Sequence, residues 1–235
     1  MWFARGTKNR EIRPRRVLGR GTTYFYRKLI LARPAGVRNH DFEQKRNALV
    51  EGLSQFAVTA ELRRTSLRQF AKAVDVSEPT LRHYFKDRRG VVVAILEYMG
   101  TFGRSVRGDF AAPSDSITNA VKDYYKVATP GPQFEMYTRA HAVGLIEGIA
   151  EDTAGKAYLK YMLEPALTAN TEKLTATPGS PKSALELRAA AFAIRSPLIF
   201  MGIHQTLLGG AEEAPIDSQA TIGLLQTWLG EAFSD

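Results

Sequence analysis

The 235-residue sequence contains no cysteine, so disulfides, thiolate catalysis and cysteine zinc sites are excluded, and a reducing compartment is compatible with it. Long apolar runs are also missing. No window approaches the ~20 residues of a membrane span, and the run Leu29–Ala32 is too short for the hydrophobic region of a secretory signal. A cytoplasmic protein with no membrane partner is expected. Acidic residues are nearly absent from the first 40 positions, where eleven Lys and Arg face Glu11 alone. The remaining 195 residues carry a net −2, so the formal +8 of the whole chain belongs to its start and does not by itself give the body a polyanionic partner.

The short β-branched alternation of a strand is lacking as well, and no repeat is visible. What is present is helical periodicity, which predicts an all-α fold. Residues 1–40 mix Arg with Gly and Pro and read as a flexible basic arm. Its only methionine is Met1, and Val37, which a GUG start can encode, lies four residues before the first helix. The arm is therefore expected to be dispensable, with Val37 as a candidate start; the rival expectation is a phosphate or minor-groove tether.

Residues 41–100 read as a compact helical domain. Phe42, Leu49, Leu53 and Phe56 predict a helix from Asp41 to about Val58; a second runs from Thr65, as cap, to Val74, and Ser77 caps a third. A helix over Arg88–Arg107 links this unit to residues 101–235, with the boundary expected near Gly100 to Pro113. Further helices are predicted at about 115–128, 133–150, 153–176, 182–208 and 217–233, separated by Gly- and Pro-rich turns.

The segment Ser66–Phe85 has the ingredients of a helix-turn-helix. Phe70, Val74, Val76, Leu81 and Phe85 supply its core, Ala71 a close-approach site, and Asp75 a residue that tolerates the left-handed turn. Thr80, Arg82, His83 and the edge of Tyr84 would then face a major groove. For Arg82, His83 and Lys86 the plain alternative is a solvated surface. For the whole stretch it is a helical hairpin that never meets DNA.

From Phe70-Ala71 through Val76-Ser77, Thr80-Leu81 and Tyr84-Phe85 to Arg88, the sequence resembles the TetR (tetracycline repressor) family of bacterial regulators. It departs from the family pattern at Asp75, where Gly is usual, and at Arg82, where Tyr is usual. The resemblance implies a three-helix DNA-binding domain followed by a helical ligand-binding and dimerisation domain. It implies a double-stranded DNA operator read by a homodimer, a small-molecule effector and, by analogy, repression. It implies phosphate contacts for Thr65, Tyr84 and Arg88, to which the reading of the residues themselves adds Ser77, Thr80, Arg82, His83 and Lys86 as the DNA-binding set.

Beyond about Met99 only architecture carries over. Tyr125, Tyr137, Tyr161 and Phe200, within a wider aromatic and methionine set, are the candidate ligand residues. Core packing is the competing explanation for each. Leu198, on the apolar stretch Leu187–Ile203, and Leu224, Leu225 and Trp228, on the stripe of the last helix, are the candidate dimer contacts. Pro165 and Pro197 fall inside helical patterns and are expected to kink them. His141 and His204 read as core residues, so no metal and no cofactor is expected. A regulator without a ligand remains open, as does an α-helical enzyme, although no nucleophile with its base, carboxylate pair or phosphate loop is apparent.

Overall fold

The computed structural model describes residues 38–107, 112–126, 131–180 and 183–233. Every regular element among them is helical: α1 (Arg38–Thr59), α2 (Leu67–Ala73), α3 (Glu78–Phe85), α4 (Arg88–Arg107), α5 (Ile117–Lys126), α6 (Pro132–Ala150), α7 (Asp152–Tyr158), α8 (Glu164–Thr175), α9 (Ala184–Gly202), α10 (Gly210–Glu213) and α11 (Ser218–Ala232). Leu159–Leu163 and Ile203–Leu207 are π-helical turns. Most of the basic arm and Val37 lie outside the described residues. No described helix is long and apolar enough to cross a membrane.

The chain divides into two units between Asn47 and Ala48, inside α1, and each is taken by itself. Of the first, residues 38–47 are described; they are helical, with the side chains of His40 and Gln44 hydrogen-bonded one turn apart at 2.8 Å. The second, Ala48–Asp235, contains all the rest. No division falls at residue 100: a single apolar core, from Leu49 and Leu53 through Phe70, Leu81 and Ile95 to Tyr158 and Met162, runs across it.

Local chemistry sets the helix limits. The second helix is capped by Ser66 and not, as expected, by Thr65. Ser66 accepts from the Gln69 N–H at 3.2 Å while Gln69 Oε1 accepts from the Ser66 N–H at 2.9 Å, a reciprocal capping box that the Thr65 position cannot make. Asp75 sits in the turn at φ 52°, as anticipated, and Ser77 caps α3. After α3 the chain reverses through Lys86, whose φ of 70° and ψ of −60°, with the Asp87 N–H donating to the Phe85 carbonyl at 2.9 Å, form the rarer and strained γ-turn. Asp87 then caps α4 by accepting from the Gly90 N–H at 2.9 Å, and that bond is the main cause that holds its carboxyl below the ordinary range. Position 90 must be glycine in this turn, because a Cβ there would overlap the Phe85 carbonyl oxygen.

Pro165 falls at an interruption of its helical run, as expected, whereas Pro197 does not interrupt its own. Ahead of Pro165 the helix widens into the π turn, where the Glu164 N–H reaches the Leu159 carbonyl five residues back. Pro165 has no N–H to give the Tyr161 carbonyl four residues behind it. That carbonyl instead lies against Gly100 of α4, where a Cβ would overlap it. Pro197 stays inside α9. Near it, the buried Tyr125 hydroxyl donates to the Ile194 carbonyl at 3.0 Å.

The π turn and α7 pack along α4, α7 packs along α6, and α11 packs mainly on α5. Since Gly100 lets the bulged carbonyl approach α4, Gly100→Ala should cost ~1–3 kcal/mol through overpacking. The measurement is the urea unfolding midpoint; an unchanged midpoint would mean the turn moves aside freely.

Candidate functional site

Two places in the second unit concentrate polar chemistry: the exposed side of α3 and an internal cavity. On α3, Ser77 and Thr80 are joined by a 2.8 Å bond between hydroxyls and serve the helix cap, while Arg82, His83 and Lys86 are exposed. Arg82 is only loosely tied, with Glu78 at 3.9 Å. Tyr84 is half-buried against the core, with the His83 ring edge-on at 5.1 Å. Residues 63–89 carry eight Lys and Arg against three Asp and Glu, which makes this stretch locally basic in a body that is not.

Thr65 and Arg88, expected on phosphates, are engaged inward. Thr65 is buried, and its carbonyl accepts from Arg88 Nε at 2.7 Å. A terminal nitrogen of Arg88 pairs with Glu147 of α6 at 2.5 Å, and Arg64 Nε lies 3.6 Å from the other oxygen of the same carboxylate. Glu147 is 4% exposed. Two turns earlier on α6, Arg139 donates to the carbonyls of Val58 and Ala60, the second at 2.7 Å, and so closes the C-terminal end of α1. The side chains of α6 thus hold the end of α1, the connector at Arg64 and Thr65, and the start of α4.

The adjoining side of α6 lines a cavity of about 310 Å³, bounded also by α1, α4, α5, the first π turn, α8 and α9. Exposed Glu51, Gln55 and Gln133 lie at one part of its wall; buried Val58, Met162, Leu198, His141 and Arg195 form another. Of the four expected ligand residues only Tyr137 lines it. Tyr125 is buried in its bond to Ile194. Tyr161 points elsewhere, under the Lys160 ammonium at 4.7 Å, while its neighbour Met162 takes the cavity wall. Phe200 is 64% exposed.

Leu198, expected at a dimer contact, is instead buried on the cavity wall. Two residues on a helix are ~200° apart, so Phe200 and Leu198 have exchanged the places that residue type alone suggested. Leu225 is likewise buried, whereas Leu224 and Trp228 are 72% and 62% exposed. Leu185, Phe192 and Phe200 leave α9 with an exposed apolar side of its own.

Sequence reasoning missed Arg195 and His141 as members of the cavity. Arg195 is buried, donates to the Tyr124 hydroxyl at 3.0 Å, and lies 3.3 Å from His141 Nε2. Arginine has no acceptor, so His141 accepts there and its Nδ1–H donates to the Tyr158 hydroxyl at 2.7 Å. Burial pushes the Tyr137 hydroxyl far above its ordinary range and keeps it protonated. The available signal was a single Arg in the apolar run Ala189–Met201. No protein-family model matches the chain, and no curated protein matches it significantly.

Glu147→Ala would strand two guanidinium groups, and because Arg88 and Arg64 keep some access to water the loss should fall near the lower end of ~3–5 kcal/mol. Arg63→Ala, which removes only the exposed pair with Glu61, should cost under ~1 kcal/mol. Denaturant titration of both variants checks the contrast, and equal losses would refute it.

Proposed function

We propose that this protein is a ligand-responsive DNA-binding regulator of the TetR type, acting in the cytoplasm as a homodimer, with repression as the default consequence of operator binding. One observation carries the reading: α3 presents Arg82, His83 and Lys86 to solvent beside the strained turn that leads into α4, and α4 continues into the cavity wall at Tyr98, Met99 and Gly100. A ligand in the cavity therefore bears on the helix whose first turn positions α3. A ligand that favours one setting of α4 shifts the DNA-binding equilibrium by its differential affinity, typically ~1–3 kcal/mol.

In this reading Arg82, His83, Tyr84 and Lys86 meet the groove and the backbone of duplex DNA. Ser77 and Thr80 hold the helix that carries them. Thr65 and Arg88 act as positioning residues through the bond to Glu147. The exposed apolar sides of α9 and α11 are covered by a second copy, since a helix-turn-helix generally needs two half-sites for affinity and isolated side chains as large as Trp228 and Phe200 gain most by burial.

Selection of duplex DNA from a random library by the purified protein should yield an inverted repeat. Arg82→Ala should then lose ~1–3 kcal/mol with relaxed preference at one base position. Lys86→Ala should weaken all sequences evenly and flatten the salt dependence. Failure to enrich any sequence would refute the reading. For the dimer, Trp228→Arg places a charge where the single chain already tolerates exposure, so the fold should persist by circular dichroism. Sedimentation should report a monomer with much weaker DNA binding; a variant that still sediments as a dimer would exclude this surface as the interface.

A further inference from the structure

We propose that the cavity binds an amphipathic organic carboxylate, its anionic head received by Arg195 and its apolar body by the wall of Val58, Met99, Met136, Met162 and Leu198. The inference rests on reading the cavity as the effector site of the proposed regulator, and it assigns the chemistry of the effector.

Among the described residues, the buried guanidinium of Arg195 has no anion to balance it: it is 4% exposed, and no carboxylate pairs with it. Its partners, the Tyr124 hydroxyl and His141 Nε2, are neutral, and the Tyr137 ring lies 5.9 Å from its carbon. Of the other charged side chains lining the cavity, Glu51 is exposed and Lys173 lies 4.0 Å from Asp123. A buried cation held only by neutral groups is costly, and an anion beside it recovers much of that cost.

A second observation points the same way. The cavity lining contains three buried polar atoms with no hydrogen-bond partner, Arg195 Nε, Asn170 Nδ2 and Ser54 Oγ, and a fourth, the Tyr137 hydroxyl, that has only the Tyr124 hydroxyl to turn to. Native interiors leave few such atoms. Each of the four can donate, so a group that meets more than one of them has to be an acceptor with several lone pairs. A carboxylate supplies about four lone-pair sites in a plane that the guanidinium matches. Apart from His141, Lys173 and the exposed Glu51, Gln55 and Gln133, the remainder of the wall is apolar and aromatic, with Phe134 and Tyr137 stacked at 6.3 Å, so the head is carried on a hydrocarbon or aryl body.

The test uses the full chain and two matched probe sets: decanoate, decanol and decylamine, and 2-naphthoate with 2-naphthol, titrated by calorimetry. At least one acid should bind ~10-fold or more tightly than its alcohol, as loss of a charge-assisted hydrogen bond requires, and decylamine should not bind. Arg195→Met should abolish the preference for acid over alcohol while keeping affinity for the alcohol, and Tyr137→Phe should reduce the preference in part. Acids that fail to bind, alcohols that bind equally well, or an Arg195→Met protein that keeps the preference would each overturn the proposal. If Arg195→Met does not fold by circular dichroism, the wild-type acid-to-alcohol ratio and the Tyr137→Phe variant decide it.

A parallel titration of DNA affinity separates the two readings. An acid that binds but leaves DNA affinity unchanged supports the carboxylate site and refutes the regulatory coupling. DNA affinity that responds to decanol or decylamine but to neither acid supports the coupling and refutes the carboxylate.

Discussion

The buried carboxylate of Glu147 is the constraint on which the arrangement of the second unit turns. A lone carboxylate at that depth would be expensive, and it is kept by Arg88 at 2.5 Å with Arg64 at 3.6 Å. Arg88 in turn spends its Nε on the Thr65 carbonyl, so one anion orders the connector before α2 and the first turn of α4 together. Arg139 adds the end of α1 from the same helix. Because these bonds come from one rigid element, α1, α2 and α4 are registered to α6 and not merely packed near it.

That registration explains why α6 is the hub of both candidate sites. One stretch of its surface carries Arg139 and Glu147, and the adjoining one carries Phe134, Tyr137 and His141 into the cavity. A shift of α6 that accommodates a ligand on one side must stretch or preserve the ion pair on the other. Helix α4 is bound to the same logic from its own ends. Its start is fixed by Asp87, Gly90 and Arg88, and its middle by the Tyr161 carbonyl against Gly100.

Most of the helical order was legible because it rests on local signals. Ser77, Asp87, Ser183 and Asp217 cap where polar side chains precede periodic runs, and Asp75 takes the left-handed turn as its chemistry permits. The mistakes came where phase or distant partners decide. Thr65 and Ser66 are equivalent on paper, and only the reciprocal bond with Gln69 separates them. Leu198 and Phe200 are both apolar, but which one faces inward depends on the rotation of α9. Arg88 looked like a surface cation because Glu147, 59 residues away, gives no local sign of meeting it. The four cavity donors come from α1, α6, α8 and α9, and no spacing in the sequence brings them together.

The cavity persists against the tendency of its own lining to close. The aromatic and methionine side chains around it would ordinarily collapse onto one another, because empty apolar volume forfeits dispersion contacts on every side. Collapse here is resisted from three directions. The π turn before Pro165 carries Met162, Ala169 and Asn170 on a helix that cannot close the gap by regular winding, and the Tyr161 carbonyl holds that helix against α4. The Arg195–His141–Tyr158 chain of hydrogen bonds ties α9 through α6 to α7 and fixes a polar floor that apolar side chains cannot cover without stranding the guanidinium. The grip of Arg139 and Glu147 keeps α6 from sliding inward. The volume is therefore maintained by hydrogen bonds and ion pairs at its margins, and one helix, α6, supplies both part of that margin and the hold on the end of α1 and the start of α4.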